Sequence, residues 1–178
     1  MEAYTLNVAG LTRELPICKL NDKIDIAAFV MFSDVELTVA CAENLLKLCS
    51  EFDVILTAES KGIPLAYEMA RQSGKPYVVA RKSVKLYMSD PVAVKVKSIT
   101  TENEQTLYLS QEKAEMISGK RVLIVDDVIS TGESLIALEK LTSSANGNIV
   151  GKAAVLAEGD AAERKDITFL EKLPLFFK

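Results

Sequence analysis

Asp126 and Asp127 form a carboxylate pair between the apolar run Val122-Leu123-Ile124-Val125 and the stretch Val128-Ile129-Ser130-Thr131-Gly132-Glu133-Ser134. Four apolar residues read as a buried strand, and a hydroxyl-rich turn with a glycine reads as the entry to a helix. Two chemistries then lie close together. The carboxylates accept hydrogen bonds from sugar hydroxyls, or hold a hydrated Mg²⁺ ion directly or through water. The turn formed by Ile129, Ser130, Thr131, Gly132, Glu133 and Ser134 offers a phosphate its backbone N–H groups, its hydroxyls and the positive end of a helix. A ligand with a ribose, a terminal phosphate and a metal-bound group satisfies both. Acidic caps and Thr-Gly turns are each common alone; their combination is what points to a ligand.

Two further segments carry charge toward the same place. Glu59-Ser60-Lys61-Gly62 directly follows the apolar run 54–58. Residues 81–97 hold Arg81, Lys82, Lys85, Lys95 and Lys97 against Asp90 alone, in a chain whose net charge is −4. A basic segment in an acidic protein suits a small polyanion, although a solvated loop has the same composition. In an open parallel sheet, ligands bind beyond the carboxyl ends of the strands. The loops after residues 58, 80 and 125 all fall at such ends.

Other chemistries are excluded. The chain has no histidine, which removes Ser-His-Asp and Cys-His catalysis and histidine zinc sites. Cys18, Cys41 and Cys49 are odd in number and scattered, so no disulfide framework is expected, and Cys41 and Cys49 read as core residues sharing one helix face. Neither a Gly-x-x-x-x-Gly-Lys-Ser/Thr loop nor a Gly-x-Gly-x-x-Gly fingerprint is present. The acidic balance argues against nucleic acid as a partner. No apolar run approaches the roughly 20 residues that span a bilayer, and no signal peptide is evident, so no membrane partner and a cytoplasmic location are expected.

The elements that must position these groups alternate between strand and helix, which predicts an α/β fold with an open, mainly parallel twisted sheet flanked by helices. Its 178 residues suit one domain, and 49% are hydrophobic. Ser33-x-x-Glu36 reads as a capping box opening a helix with Leu37, Ala40, Cys41, Leu45 and Leu48 on its inner face. A strand over 53–58 follows, then a helix with Pro64 in its first turn and Gly74 at its end. Another strand covers 77–80. Residues 83–110 break the rhythm as a flexible loop or hairpin, with Val92, Val94 and Val96 alternating against Ala93, Lys95 and Lys97, and 106–109 as the pairing strand. A helix over 111–117, the strand at 122–125, a helix over 131–144 and strands over 149–156 and 167–170 complete the pattern. The apolar tail Leu173-Pro174-Leu175-Phe176-Phe177 is expected to pack on the body or on a second subunit.

The 122–134 run resembles the 5-phosphoribosyl 1-pyrophosphate (PRPP) signature of type I phosphoribosyltransferases: about four apolar residues, two acidic ones and a loop ending in Thr-Gly-x-Thr/Ser. Glu59-Ser60-Lys61-Gly62 is similar to the Glu-Ser-Arg-Gly pyrophosphate loop of adenine phosphoribosyltransferases, with Lys61 in place of arginine; Ile63–Glu68 and Val78–Lys82 also resemble that family. The resemblance spans residues 53–158. It implies the type I phosphoribosyltransferase fold over a single domain, residues 1–178. Residues 1–33 and the C-terminal tail would supply hood or dimer elements, with a non-proline cis peptide near Ser60-Lys61. It also implies transfer of ribose 5-phosphate from PRPP to a purine base in salvage, with Mg²⁺, in a homodimer. By the same resemblance, Asp126 and Asp127 hold the ribose or the metal and count with Lys82 and Lys85 as catalytic. Ser60, Lys61, Gly62, Arg81, Lys82 and Lys85 bind pyrophosphate, the 129–134 turn binds the 5′-phosphate, and Phe32, Ile129 and Ser130, with Phe29 as a further stacking surface, meet the base. Glu102 or Glu104 would supply an acid from the loop. Ser130 stands where hypoxanthine/guanine enzymes carry aspartate, which favours adenine or xanthine. The Lys-x-His-Gly motif of orotate enzymes is absent, and Phe32-Ser33-Asp34 replaces the adenine enzymes' Phe-Arg-Asp. The rival readings are a PRPP-sensing regulator without catalysis, which would need a DNA-binding domain for which no room is expected before residue 33, and an enzyme with a non-purine acceptor such as orotate.

Overall fold

The 122–125 run is covered on both faces, as a strand without polar residues requires. The computed structural model, which describes residues 2–97 and 104–178, shows how. Three antiparallel strands come first, β1 (Ala3–Val8), β2 (Leu11–Lys19) and β3 (Ile24–Ala27). Then follow α1 (Val35–Leu48), β4 (Val54–Ala58), α2 (Ile63–Ser73), β5 (Tyr77–Ala80), the hairpin β6 (Val92–Lys97) and β7 (Glu104–Leu109), α3 (Gln111–Ile117), β8 (Arg121–Ile129), α4 (Glu133–Ser144) and β9 (Asn148–Glu158). A 3-10 turn over Gly159–Glu163 leads to β10 (Thr168–Leu173) and β11 (Leu175–Phe177). The central sheet has the order β10-β9-β8-β4-β5, parallel throughout, so the α/β parallel-sheet expectation is met.

Strand alternation divides the core. Leu123 and Val125 of β8 join Ile55 and Val155 under α1 and α2 on one face, with Leu37, Cys41, Leu45, Leu65 and Met69 as the covering residues. Val122 and Ile124 join Leu56, Val78 and Ala154 on the other face, under Ala114 and Ile117 of α3 and Leu135, Leu138 and Leu141 of α4. Cys41 is fully buried, and burial pushes its thiol up to about 12, so it is an inert core residue. Cys49 is half-buried, and its thiol is likewise pushed up, to about 11.

Several boundaries differ from the sequence reading. The cap of α1 is Asp34, whose carboxylate accepts from the Leu37 N–H at 3.0 Å. Ser33 has a left-handed φ of 68°, one residue ahead of the cap position, and Glu36 pairs with Arg13 instead of closing a capping box. Helix α4 begins at Glu133, two residues late, because Thr131 and Gly132 still belong to the turn. Strand β8 continues through both aspartates to Ile129, so the carboxylates lie within a strand rather than after it. Residues 3–27 form strands that the sequence pattern did not reveal. With the tail strand β11 pairing Leu175 to Ile26, they make a separate four-stranded antiparallel sheet in the order β1-β2-β3-β11. The tail therefore packs on the body of its own chain.

Ion pairs pin the ends of the central strands. Arg121 grips Asp53 through Nε at 3.1 Å and Nη2 at 2.9 Å. The guanidinium and backbone N–H of Arg121 hold the Asp53 carboxyl well below the usual carboxylate range. Asp166 is held low in the same way, by Arg164 and then Lys152. A carboxyl depressed in the folded state stabilises the fold above its unfolded value of about 4 and loses that contribution as pH falls through the folded value. These two carboxyls should therefore make the unfolding midpoint fall steadily below about pH 4. Asp53→Asn should flatten that acid limb in a pH series of thermal melts, and an unchanged acid limb would remove Asp53 from the account.

Candidate functional site

The carboxyl ends of β4, β8 and β9 open onto a cavity of about 390 Å³. Its floor is Asp126, Asp127 and Val128. One wall is Ala58, Glu59, Ser60 and Lys61 with Lys82, and another is Ser130 and Ser134. Ile26–Phe29 from the antiparallel sheet, Glu158 and Leu173 close the far end. A smaller cavity of about 110 Å³, lined by Asp126 and the whole 128–135 segment, continues from it around the turn.

Each wall follows from local structure. Asp127 is buried, and its Oδ2 has no hydrogen-bond partner among the described residues. The Asp127 N–H donates to Asp126 Oδ1 at 2.9 Å. Burial, reinforced by the neighbouring Asp127 charge, pushes the Asp126 carboxyl well above the usual range. Two carboxylates with an orphaned oxygen form a hard-oxygen donor set that would suit a hydrated Mg²⁺ ion. Among the described residues, no group of three or more His, Cys, Asp or Glu side chains is placed to hold a metal ion.

Gly62 lets the Glu59–Gly62 loop lie directly on the carboxylates. A Cβ there would fall 2.5 Å from Thr57 Oγ1, 3.0 Å from Asp126 Oδ1 and 3.2 Å from the Asp126 Cα. Thr57 is itself fully buried with its hydroxyl unpartnered among the described residues. Gly62→Ala should therefore displace the loop, costing about 1–3 kcal/mol of stability and weakening anion binding more than Gly74→Ala, a helix-end control whose added Cβ meets nothing within 4 Å. Equal binding by the two variants would show that the loop tolerates the methyl group. The peptide bond Glu59–Ser60 is cis, in the loop where the resemblance implies a non-proline cis peptide. The Glu59 carboxylate accepts the Lys82 N–H at 3.0 Å and sits 3.3 Å from Arg81 Nη2. These contacts, the first above all, hold it below the usual carboxylate range.

The sequence-derived site residues divide. Ser60, Lys61, Lys82, Asp126, Asp127, Ser130 and Ser134 share the main cavity, while Ile129, Thr131, Gly132 and Glu133 line its extension. Gly62 backs the carboxylates without lining the cavity. Arg81 turns to a second cavity beside Tyr77, Tyr87 and Lys113. Lys85 Nζ donates to Ser83 Oγ at 2.7 Å and lies outside the main cavity. Phe32 is 47% exposed and away from it, whereas Phe29, three residues closer to β3, lines it. The Ile129 side chain is buried in the core under α4. Glu102 and the loop section 98–103 lie outside the described residues, as does the Glu104 side chain. The sequence reading missed Thr57, Glu59 as a cation holder, and Glu158. For Glu158 a signal existed: it ends a strand adjacent to the one carrying the aspartates.

Comparison with known proteins bears on this arrangement. Residues 36–174 match the family model described as phosphoribosyl transferase domain. Hypoxanthine/guanine phosphoribosyltransferase of Methanococcus voltae is 34% identical over 139 residues, covering 78% of this chain and 71% of that protein. The purine biosynthesis transcriptional repressor PurR of Bacillus subtilis is 33% identical over 115 residues, covering 65% of this chain, which spans only 39% of the repressor's length. The crystal structure of adenine phosphoribosyltransferase from Thermoanaerobacter pseudethanolicus superimposes with a TM-score of 0.68 at 23% identity, over 80% of this chain and 84% of that one, which establishes the shared fold. With the family model covering most of its length, the chain belongs to the phosphoribosyl transferase domain family.

Proposed function

We propose that this protein transfers ribose 5-phosphate from PRPP to a purine base, giving a nucleoside monophosphate and pyrophosphate. The observation that carries the reading is the meeting, in one cavity, of a carboxylate pair (Asp127 buried with an orphaned oxygen, Asp126 half-buried), a phosphate-type turn and two lysines. In the reaction the bond from ribose C1 to the pyrophosphate oxygen breaks and a bond from C1 to a ring nitrogen forms, while the base loses the proton that nitrogen carried. Asp126 and Asp127 accept the ribose hydroxyls or hold Mg²⁺, which when bound neutralises charge on the pyrophosphate. Lys61 and Lys82 face the same growing negative charge. The N–H groups and hydroxyls of Ser130–Ser134 hold the 5′-phosphate. Phe29 and the strand end around it offer the base an apolar wall. The antiparallel sheet serves as the hood, and the β6–β7 hairpin serves as a cover that excludes water.

Adenine is the favoured acceptor, since Ser130 leaves no carboxylate at that point of the turn; the Methanococcus voltae relative, named for hypoxanthine and guanine, keeps those bases in the test. The protein acts in the cytoplasm as a homodimer, without nucleic acid or membrane partners. Supporting the dimer, Val35, Tyr67, Leu86 and Tyr87 are each more than half exposed. No helix among the described residues is long and apolar enough to cross a membrane. A second reading, PRPP sensing without turnover, draws on the similarity to the Bacillus subtilis repressor. Pyrophosphate release from Mg²⁺-PRPP, with adenine, hypoxanthine, guanine, xanthine and orotate supplied singly, separates the readings. Turnover with one purine supports transfer and names the base. PRPP binding without turnover on any base supports sensing, and no PRPP binding overturns both.

A further inference from the structure

The turn read as the 5′-phosphate site has a charge deficit. A phosphate monoester brings up to two negative charges, yet the residues lining that turn's cavity include no lysine or arginine, and Asp126 and Glu133 are among them. The missing cation approaches from another element. After β9, the 3-10 turn buries Ala161 against the α4 side of the sheet, and the Arg164 N–H donates to the Ala161 carbonyl at 3.1 Å. This brings the Arg164 side chain back to the turn, where a Cβ on Gly132 would lie 3.0 Å from Arg164 Nη1.

The guanidinium is held in that orientation. Its Nε and Nη2 donate to the two carboxylate oxygens of Asp166 at 2.9 and 2.7 Å, a bidentate fork. Lys152 Nζ donates to Asp166 at 2.7 Å and to Glu139 of α4 at 2.6 Å. The network carries no net charge, but it has a direction. Nη1 faces Gly132 with no hydrogen bond of its own among the described residues, and the carboxylates lie behind it. Because Glu139 belongs to the helix that the turn opens, the same network fixes that helix relative to Arg164.

We propose that Arg164 is a further determinant of 5′-phosphate binding, a cation fixed behind Gly132 that raises the turn's affinity for a phosphorylated sugar. The inference rests on the proposed reading of the 129–134 turn. Arg164 acts as a positioning residue, through the field at the turn and the seat it gives Gly132.

The test compares the binding of ribose 5-phosphate and of Mg²⁺-pyrophosphate by calorimetry, in wild type, Arg164→Gln and Arg164→Lys. Arg164→Gln should weaken ribose 5-phosphate by about tenfold and leave pyrophosphate within about twofold. Unchanged affinity for ribose 5-phosphate would overturn the proposal. So would a parallel loss for both ligands with a lowered melting temperature, the mark of a merely structural role. Should Arg164→Gln fail to fold, Arg164→Lys decides. An ammonium cannot grip Asp166 with two nitrogens while facing Gly132, so ribose 5-phosphate should still weaken, by about threefold, with pyrophosphate unmoved; equal affinity for ribose 5-phosphate overturns the proposal. A wild type that binds no ribose 5-phosphate brings down the reading of the turn itself, an outcome distinct from a failure of Arg164 alone.

Discussion

Asp127→Asn should make the ligand-free protein more stable while nearly abolishing its affinity for PRPP. In the free protein the Asp127 carboxylate is buried with Oδ2 unpartnered among the described residues, and it raises its neighbour Asp126. A buried charge without a partner is costly, and replacing it by a neutral isostere should return about 1 kcal/mol. The Asp126 carboxyl then moves back toward its ordinary range, because the Asp127 charge that adds to burial in raising it is gone. Binding runs the other way. An amide neither attracts Mg²⁺ nor accepts ribose hydroxyls as a carboxylate does, so PRPP affinity should fall by about a hundredfold, the scale of losing one partner from a buried charged contact. Denaturant unfolding and calorimetry read the two effects separately. A variant that keeps its PRPP affinity would remove Asp127 from the binding machinery, and one less stable than wild type would show that the buried carboxylate is no cost to the free fold.

Lys82→Ala should lower kcat by about 10²–10³-fold, the range for removing one preorganised donor from a developing negative charge. Lys85→Ala should change it by less than about threefold, as expected for a half-buried side chain away from the chemistry. The two residues are three apart in one basic segment, and composition does not tell them apart. In the fold, Lys82 lines the cavity with its backbone N–H fixed to Glu59, while Lys85 donates to Ser83 outside it. Lys82 is exposed and in a loop, so its removal should leave the melting temperature within a degree or two of wild type. The contrast between the variants carries the prediction. Equal losses would mean that the loop rearranges on binding and brings Lys85 in.

The Asp126–Ser134 site was legible because its parts are contiguous. A short strand buried on both faces needs an unbroken apolar run, and the polar groups that follow must sit at its end. The same holds for the strand-turn-helix at 54–73 and for the hairpin, whose alternation showed in Val92, Val94 and Val96. The N-terminal sheet was not legible. Tyr4, Leu6 and Val8 alternate with Thr5 and Asn7, but only Leu6, Val8 and Leu15 of the first two strands are buried, and the sheet is completed by a strand that arrives from residue 175.

Side-chain direction separates what the chain order carries from what folding adds. Residue type and order along the chain marked 126–134, 59–62 and 81–85 as candidate ligand-facing segments, because all three fall at the carboxyl ends of strands. It did not tell Lys82 from Arg81 and Lys85, or Phe29 from Phe32, because one or a few residues of backbone reverse or re-aim a side chain, and the register that fixes this comes from pairing with distant strands. Nor did it connect Arg164 with Gly132, 32 positions apart. That contact exists because Ala161 is drawn into the core and Asp166 clamps the guanidinium, two events that depend on packing across the sheet. Contiguous motifs name the chemistry; long-range burial and register choose which atoms meet the ligand.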